Sequence, residues 1–248
     1  ELARDESGGV EVTDHESGRR ELQLIKITGS AFADFARDEL VARRVAVLYE
    51  IGREYSAKLA RSFIERFEQP SAGRVTTQLS YLPLETDFQS QLAAVAAFDA
   101  DGLFVPGSFT DATLIAIQAE DMQVRPTLLG ADGWSNPLLF SRGGPTRPAF
   151  FSDHCFPPES FNARYRREFG EPPHGCRAVL ADAAAMAVVG ALGEVGPLTD
   201  EQLQALLTQT RERLRGALAA SDLLGETGGI RFDEHGDGRR GVAIVEVV

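Results

Sequence analysis

The chain has 248 residues, of which 43% are hydrophobic, so it can bury a core as one large domain or as two small ones. Its formal net charge of −12 creates a surface that repels phosphate backbones, which argues against nucleic-acid binding. No apolar run reaches the roughly 20 residues that a membrane span needs. No signal peptide is visible, although a mature exported protein would also lack one.

Helix and strand periodicities alternate along the first part of the chain. Helices are predicted in "AFADFARDELVARR", "REYSAKLARSFIERFEQ", "ETDFQSQLAAVAAF" and "TDATLIAIQAEDM". Strands are predicted in "VAVLYE", "RVTTQLSYL", "GLFVPG" and "PTLLGAD". Thr86, with Gln89 three residues later, has capping-box spacing at the start of the third helix. This β-α alternation with short connections predicts a parallel sheet covered by helices on both faces.

The pattern changes after Phe140. A turn-rich connector "RGGPTRP" is followed by a predicted strand "AFFSDHCF" and a helix "SFNARYRREFGEPP" that Gly170 ends. Two more helices are predicted after it: a buried small-residue helix "AVLADAAAMAVVGAL" and an amphipathic helix "TDEQLQALLTQTRERLRGALAA" with Thr199 as N-cap. The chain then forms a strand, a tight turn and a strand in "GGIRFDEHGDGRRGVAIVEVV". "DEHGDG" resembles the start of a calcium loop, but the twelfth position holds Ile244 instead of an acidic ligand, which favours a hairpin turn.

Ligands of doubly wound sheets bind outside the carboxyl ends of the strands, which fall here at residues 50–55, 106–110 and 132–136. Asp132 could hold a cation there through a charge-assisted bond, or could merely cap the turn before "GWSNP". Tyr55 offers an aromatic face and a hydrogen bond, or packs as a first-turn helix residue on Leu59.

The loop "PGSFTD" and the residue Trp134 complete this set of candidates. Ser108 and Phe109 lie between a strand and a helix N-terminus, where backbone N–H groups can bind a polar ligand group. Trp134 could form an apolar wall of a cleft, or pack as an aromatic residue on the surface.

Catalytic and metal-binding patterns are missing from the sequence. The four histidines are scattered, and there is no nucleophile elbow, phosphate-binding loop or dinucleotide fingerprint. No metal, cofactor or enzymatic activity is therefore predicted. Cys155 and Cys176 could form a disulfide in an exported protein, but two unpaired thiols are the favoured interpretation.

Several stretches resemble a known family when taken in order. They are "RRVAVLYE" with "EYSAKLARSFIERFE", "LPLETDFQSQLAAVAAFDADGLFVPG", "LLGADGW", "FNARYRREFGEPP" and "TGGIRFDEHGDGRRGVAIVEV". In this order and spacing the chain resembles the type I periplasmic substrate-binding proteins of branched-chain amino acid (Leu/Ile/Val) ABC transporters. The resemblance implies an α/β fold of two lobes, each a flavodoxin-like parallel sheet with helices on both faces, with the ligand closed between them.

The resemblance also implies a division of the chain. Residues 1–30 would be a remnant of the first lobe, 31–148 the complete second lobe, 149–222 a hinge strand with helices returning to the first lobe, and 223–248 C-terminal hairpin strands. Most of the first lobe is expected to be missing, either in a naturally shortened paralogue or because the chain is a fragment.

By resemblance, the chain is an extracytoplasmic solute-binding protein that binds a branched-chain or similar amino-acid-like ligand and delivers it to a membrane permease. Asp132 would pair with the ligand's α-ammonium group, Tyr55 would contact the ligand from the second lobe, and the loop of Ser108 and Phe109 would bring an aromatic ring into the cleft. The expected location is the periplasm or another extracytoplasmic site, with the signal peptide removed or a lipid anchor on the full-length protein.

Two alternatives stay open. One is a ligand-sensing or regulatory domain of the same fold, which would be expected to continue into a membrane or signalling segment after "VAIVEVV". The other is a truncated paralogue that no longer binds a ligand.

Overall fold

The structure is a computed structural model with two compact units. It describes residues 3–4, 10–11, 28–69, 73–136, 138–145, 147–153, 157–173, 176–195, 223–225, 228–232, 238–239 and 243–247. The first unit comprises residues 1–153 and 244–248, and the second comprises residues 154–243. The fourfold division expected from the sequence stays a prediction.

The first unit is built on a six-stranded sheet. Its strands and helices are β1 (Ala3–Arg4), β2 (Val10–Glu11), α1 (28–38), β3 (Arg44–Glu50), α2 (Glu54–Phe67), β4 (Arg74–Tyr81), α3 (Gln89–Ala97), β5 (Gly102–Phe104), α4 (Phe109–Asp121), β6 (Thr127–Gly130), a 3₁₀ turn (Asp132–Trp134), β7 (Ala149–Asp153) and β11 (Ala243–Val247). The sheet order is β4-β3-β5-β6-β7-β11, and the first five strands in this order are parallel to one another. The predicted α/β fold with a parallel sheet is therefore confirmed.

Alternation along β3 shows how the sheet is covered on both faces. Val45 and Val47 are fully buried in a core with α1 and α2, which contribute Phe32 and Phe63 among others. Ala46 and Leu48, on the opposite face, are buried in a second core with α3 and α4. Helices on both faces leave only the ends of the strands accessible for a ligand.

The start of α3 differs from the prediction. The helix begins at Gln89 with Phe88 as its N-cap, so the predicted capping box of Thr86 and Gln89 is wrong. Gln118 of α4 anchors this segment, because its Oε1 accepts from the Phe88 N–H (2.7 Å) and its Nε2 donates to the Thr86 carbonyl (2.8 Å). The Gln89 N–H, which the predicted Thr86 cap would have bound, donates to Asp87 Oδ1 (3.0 Å).

An ionic cluster joins α1 to α2. Arg37 is 6% exposed and donates to Asp34 (2.6 Å) and to the Gln69 carbonyl just beyond the end of α2 (2.9 Å). Arg66 of α2 donates to both carboxylate oxygens of Asp34 (2.8 Å to Oδ1 and 2.9 Å to Oδ2). Burial alone would raise the pKa of Asp34, but the hydrogen bonds and charges of Arg66 and Arg37 outweigh it and lower that pKa.

The second unit contains α5 (Glu159–Phe169), α6 (Cys176–Val195), β8 (Leu223–Gly225), β9 (Gly228–Phe232) and β10 (Gly238–Arg239). Gly170 ends α5 in the left-handed conformation (φ 79°), as predicted. The expectation that α6 is buried is correct only in part, because Ala187 is buried while Met186 and Val189 are exposed. The predicted amphipathic helix after Thr199 lies outside the described residues.

The C-terminal strands divide between two sheets. β9 pairs antiparallel with β8 and also with β10, so the chain reverses direction between Phe232 and Gly238, as the predicted hairpin turn requires. The last strand, β11, lies beside β7 in the six-stranded sheet instead of pairing with β9, so the predicted second hairpin strand is misplaced. The sheet that a strand joins depends on pairing partners distant in sequence, which local periodicity does not identify.

Cys176 is disulfide-bonded, so the favoured interpretation of two unpaired thiols is wrong. The sequence has one other cysteine, Cys155, which lies outside the described residues. Among the helices that the structure describes, none combines the length and apolar character of a membrane-spanning segment.

Candidate functional site

The topology indicates the carboxyl edge of the sheet as the place for a ligand. The chain runs from β3 outward to β4 and then returns to the other side of β3 to form β5, so the strand order reverses between β3 and β5. Ligands of doubly wound sheets bind at such a reversal, outside the carboxyl ends of the strands. The connections that follow β3, β5 and β6 contain all the candidate residues predicted from the sequence.

Tyr55 and Asp132 meet at this edge. Tyr55 lies in the first turn of α2, directly after β3, and Asp132 begins the 3₁₀ turn after β6. The Tyr55 hydroxyl donates a hydrogen bond to Oδ1 of Asp132. Because β5 lies between β3 and β6, this bond spans the end of a strand.

Glycines allow the turn that carries Asp132 to pack closely. A Cβ at Gly130 would lie within 3.0 Å of the Trp134 ring, and a Cβ at Gly133 would lie within 3.0 Å of the Gly107 carbonyl oxygen. The turn after β6 therefore rests directly on the backbone of the loop after β5. Only residues without a side chain fit at these two positions without displacing their neighbours.

The loop after β5 is held by a capping box at the start of α4. The Ser108 Oγ accepts from the Asp111 N–H (3.2 Å), and Asp111 Oδ2 accepts from the Ser108 N–H (3.1 Å). The Tyr81 hydroxyl, at the end of β4, also donates to Asp111 Oδ2 (3.0 Å). Burial first, and then the Asp111 carboxylate, raise the pKa of Tyr81, so its phenol remains a donor.

Phe109 is partly buried and is tied to the segment after the turn. Its carbonyl accepts from the Thr113 hydroxyl (2.7 Å), and the same hydroxyl oxygen accepts from the Phe140 N–H (3.2 Å). The Phe140 ring packs edge-on against Trp134 with ring centroids 5.9 Å apart. The aromatic residue of the loop and the turn that carries Asp132 are therefore parts of one packed assembly.

Carboxylates are concentrated at the carboxyl edge. Glu50 ends β3 and Asp153 ends β7, and both side chains are buried. Glu50 Oε2 lies 2.8 Å from Arg53 Nε in an ion pair, and the Glu50 N–H donates to the Ser56 hydroxyl (3.1 Å). With Asp132, this edge presents acidic groups at three of its strands.

The amino edge of the same sheet carries both signs of charge. Arg44 begins β3 and pairs with Asp99 (2.8 Å), and the Asp101 carboxylate accepts from the backbone N–H groups of Arg43 and Arg44. Arginines also begin or closely precede β4, β6 and β7.

The predicted site residues are located as follows. Tyr55 and Asp132 are hydrogen-bonded, and Ser108 and Phe109 lie on the neighbouring loop. Trp134 is 0% exposed, so the alternative of a surface aromatic is wrong, and the indole supports the turn from within the core instead of presenting an accessible wall. That these residues contact a ligand remains a prediction.

Two residues of this region were not predicted from the sequence, Tyr81 and Asp111. The spacing of Ser108 and Asp111 is that of a capping box with an aspartate at its last position, and this signal could have identified Asp111. No local signal links Tyr81 to Asp111, since the two are 30 positions apart. Within the described ranges, no group of three or more metal-ligating side chains could hold an ion.

No family model and no curated protein sequence matches the chain. Its structure matches a leucine-binding protein of Thermotoga maritima with a TM-score of 0.76 and 25% identity, over 88% of this chain and 61% of that one. It also matches a branched-chain amino acid transporter substrate-binding protein of Streptococcus pneumoniae, solved with isoleucine, with a TM-score of 0.74 and 20% identity, over 89% of this chain and 61% of that one. An ABC-transporter solute-binding protein of R. palustris, solved with benzoate, gives a TM-score of 0.71 and 15% identity, over 90% and 59%.

The chain spans about three fifths of the length of these proteins. Its fold is that of the type I periplasmic binding proteins, which confirms the fold class and the resemblance to the branched-chain amino acid class. These structural neighbours are described as a leucine-binding, a substrate-binding and a solute-binding protein.

Proposed function

We propose that this chain is the ligand-binding part of an extracytoplasmic solute-binding protein, which presents a small amino-acid-like ligand to an ABC-transporter permease. The observation that carries the proposal is the Tyr55–Asp132 hydrogen bond at the carboxyl edge of the sheet. It places a carboxylate, oriented by a phenol, where doubly wound sheets bind their ligands. The disulfide at Cys176 supports an oxidising, extracytoplasmic location.

The ligand group at Asp132 is an ammonium. A carboxylate in a partly buried site forms strong, charge-assisted hydrogen bonds with N⁺–H donors. A branched-chain amino acid, or a similar small ligand with an α-amino group, fits this arrangement.

An aromatic acid is the second candidate, because one structural neighbour was solved with benzoate. Benzoate has a carboxylate and no ammonium group, so it would face Asp132 with the same sign of charge. The Asp132 carboxylate therefore disfavours benzoate relative to an amino acid.

The test is isothermal titration calorimetry of the purified chain with L-leucine, L-isoleucine, L-valine and benzoate. Asp132→Asn keeps the size of the side chain and an oxygen that can accept from Tyr55, but removes the charge. A hydrogen bond to a charged group contributes about 1.5–3 kcal/mol, so amino-acid binding should weaken roughly 10- to 150-fold. Tyr55→Phe, which removes only the hydroxyl, should weaken binding less.

Asp99→Asn is the matched control. Asp99 pairs with Arg44 (2.8 Å) at the amino edge and is 82% exposed, so its neutralisation should leave the affinity unchanged. Absence of binding to any amino acid, or equal binding by wild type and Asp132→Asn, would contradict the proposal. Binding of benzoate in preference to leucine would favour the second candidate.

A further inference from the structure

We infer that Tyr81 and Asp111 are positioning residues of the ligand site, and that their hydrogen bond fixes the turn that carries Asp132. The inference rests on the proposed function, because it concerns the geometry of the same site. Tyr81 is 3% exposed and ends β4, so it acts through other residues without touching the ligand itself.

The first step links Tyr81 to the loop after β5. Asp111 Oδ2 accepts from the Tyr81 hydroxyl (3.0 Å) and from the Ser108 N–H (3.1 Å). One carboxylate oxygen thereby joins the end of β4 to the backbone that enters α4. The loop containing Gly107 and Ser108 is held by a side chain of another strand as well as by its own cap.

The second step links the phenol to the backbone at Gly107. A Cβ at Gly107 would lie within 3.0 Å of the Tyr81 hydroxyl oxygen and 3.3 Å from Asp111 Oδ2. The hydroxyl therefore rests directly against the glycine, in the space that any other residue would fill. The position of the phenol and the course of the loop are fixed together.

The third step reaches the ligand site. The Gly107 carbonyl packs against Gly133 so closely that a Cβ there would come within 3.0 Å of its oxygen. Gly133 follows Asp132 directly, so a shift of the loop at Gly107 displaces the carboxylate. The path from Tyr81 to Asp132 therefore consists of two hydrogen bonds to the Asp111 carboxylate and one backbone contact between Gly107 and Gly133.

Tyr81→Phe tests the inference through ligand affinity. Its dissociation constant for L-leucine, measured by calorimetry at 25 °C, should be about tenfold higher than that of wild type. Asp111→Asn keeps an oxygen acceptor for both donors and should bind L-leucine nearly as well as wild type, whereas Asp111→Ala should behave like Tyr81→Phe. In the Asp132→Asn background, Tyr81→Phe should have little further effect, because the group that it positions has already lost its charge.

Arg37→Met provides the control for stability, since it breaks the α1–α2 cluster on the other face of the sheet. It should lower the melting temperature without changing the affinity for L-leucine. A Tyr81→Phe variant that binds L-leucine as tightly as wild type would overturn this inference alone. A wild-type protein that binds none of the amino acids would overturn the proposed function and this inference with it.

Discussion

A methyl group at position 107 should destabilise the first unit, and removal of the Tyr81 hydroxyl should abolish most of that cost. The Cβ of Gly107→Ala would come within 3.0 Å of the hydroxyl oxygen, whereas ordinary contacts begin near 3.4 Å. The backbone at Gly107 does not have a positive φ, so alanine meets no strain of its own there. The loss of unfolding free energy therefore arises from contact with a single atom, the Tyr81 hydroxyl oxygen.

The size of this destabilisation follows from the contact that the new methyl group disrupts. The phenol has to move, and its 3.0 Å hydrogen bond to Asp111 is broken or stretched. A hydrogen bond to a charged group contributes about 1.5–3 kcal/mol, and overpacking costs about 1–3 kcal/mol. Gly107→Ala should therefore cost about 2–3 kcal/mol. In Tyr81→Phe, the nearest remaining atom is Asp111 Oδ2 at 3.3 Å, and the further cost of alanine should be under about 0.5 kcal/mol.

Urea unfolding of wild type, the two single variants and the double variant measures this coupling. Trp134 is the only tryptophan and is buried in the same core as Tyr81, so its fluorescence reports on the unfolding of this part of the chain. The expected coupling free energy is about 2 kcal/mol.

Additive effects, within about 0.5 kcal/mol, would refute the packing described for Gly107. Gly133→Ala offers a contrast, because its Cβ would meet the carbonyl oxygen of Gly107 instead of a side chain. Tyr81→Phe should therefore not rescue it. Rescue of Gly133→Ala by Tyr81→Phe would contradict the assignment of that contact to the backbone.

Two further predictions concern the charged cluster and the disulfide. The pKa of Asp34 is lowered in the folded state, so its carboxylate adds stability above about pH 4 that is lost as the pH falls through the folded-state pKa. The unfolding free energies of wild type and Asp34→Asn, compared from pH 7 to pH 2, should converge at the acid end, and a constant difference would contradict the shift. The disulfide at Cys176 closes a loop of about 20 residues if its partner is Cys155, which corresponds to about 3 kcal/mol. Unfolded, unreduced protein should show no reactive thiol, and reductant should lower the melting temperature; two thiols before reduction would contradict the bond.

The sequence predicts the elements of the first unit well because each has a strong local pattern. The alternation along β3 and the 3.6-residue spacing of aromatic residues in α2 are set by neighbouring residues. Features that depend on distant partners were missed. Gln118 of α4 anchors the segment before α3, and β11 joins the sheet beside β7. Cys176 belongs to the same group, since spacing in sequence does not give the distance between two thiols.

The sequence predicts where the candidate site lies better than it predicts how the residues of the site pack and bond. Strand ends and a reversal of strand order identify the carboxyl edge, which is why Tyr55 and Asp132 could be selected from the sequence. The sequence leaves Trp134 either as an apolar wall of a cleft or as a surface aromatic, and the structure shows it fully buried. Aromatic side chains bury much apolar area, and Gly130 leaves space for the Trp134 indole, which is typical of a core position.

The turn at Asp132 combines a buried anchor with an accessible carboxylate. Trp134 fills the core below Gly130, and Gly133 rests on the backbone of the neighbouring loop, so neither side of the turn has room to move. Asp132 is the one residue of the 3₁₀ turn with a charged side chain, and Tyr55 orients it from another helix. A carboxylate held in this way loses little conformational freedom when a ligand binds, and such preorganisation raises affinity by reducing the entropic cost of association. The glycines on either side of Asp132 are therefore part of the proposed binding function, since larger residues would force the anchor and the carboxylate apart.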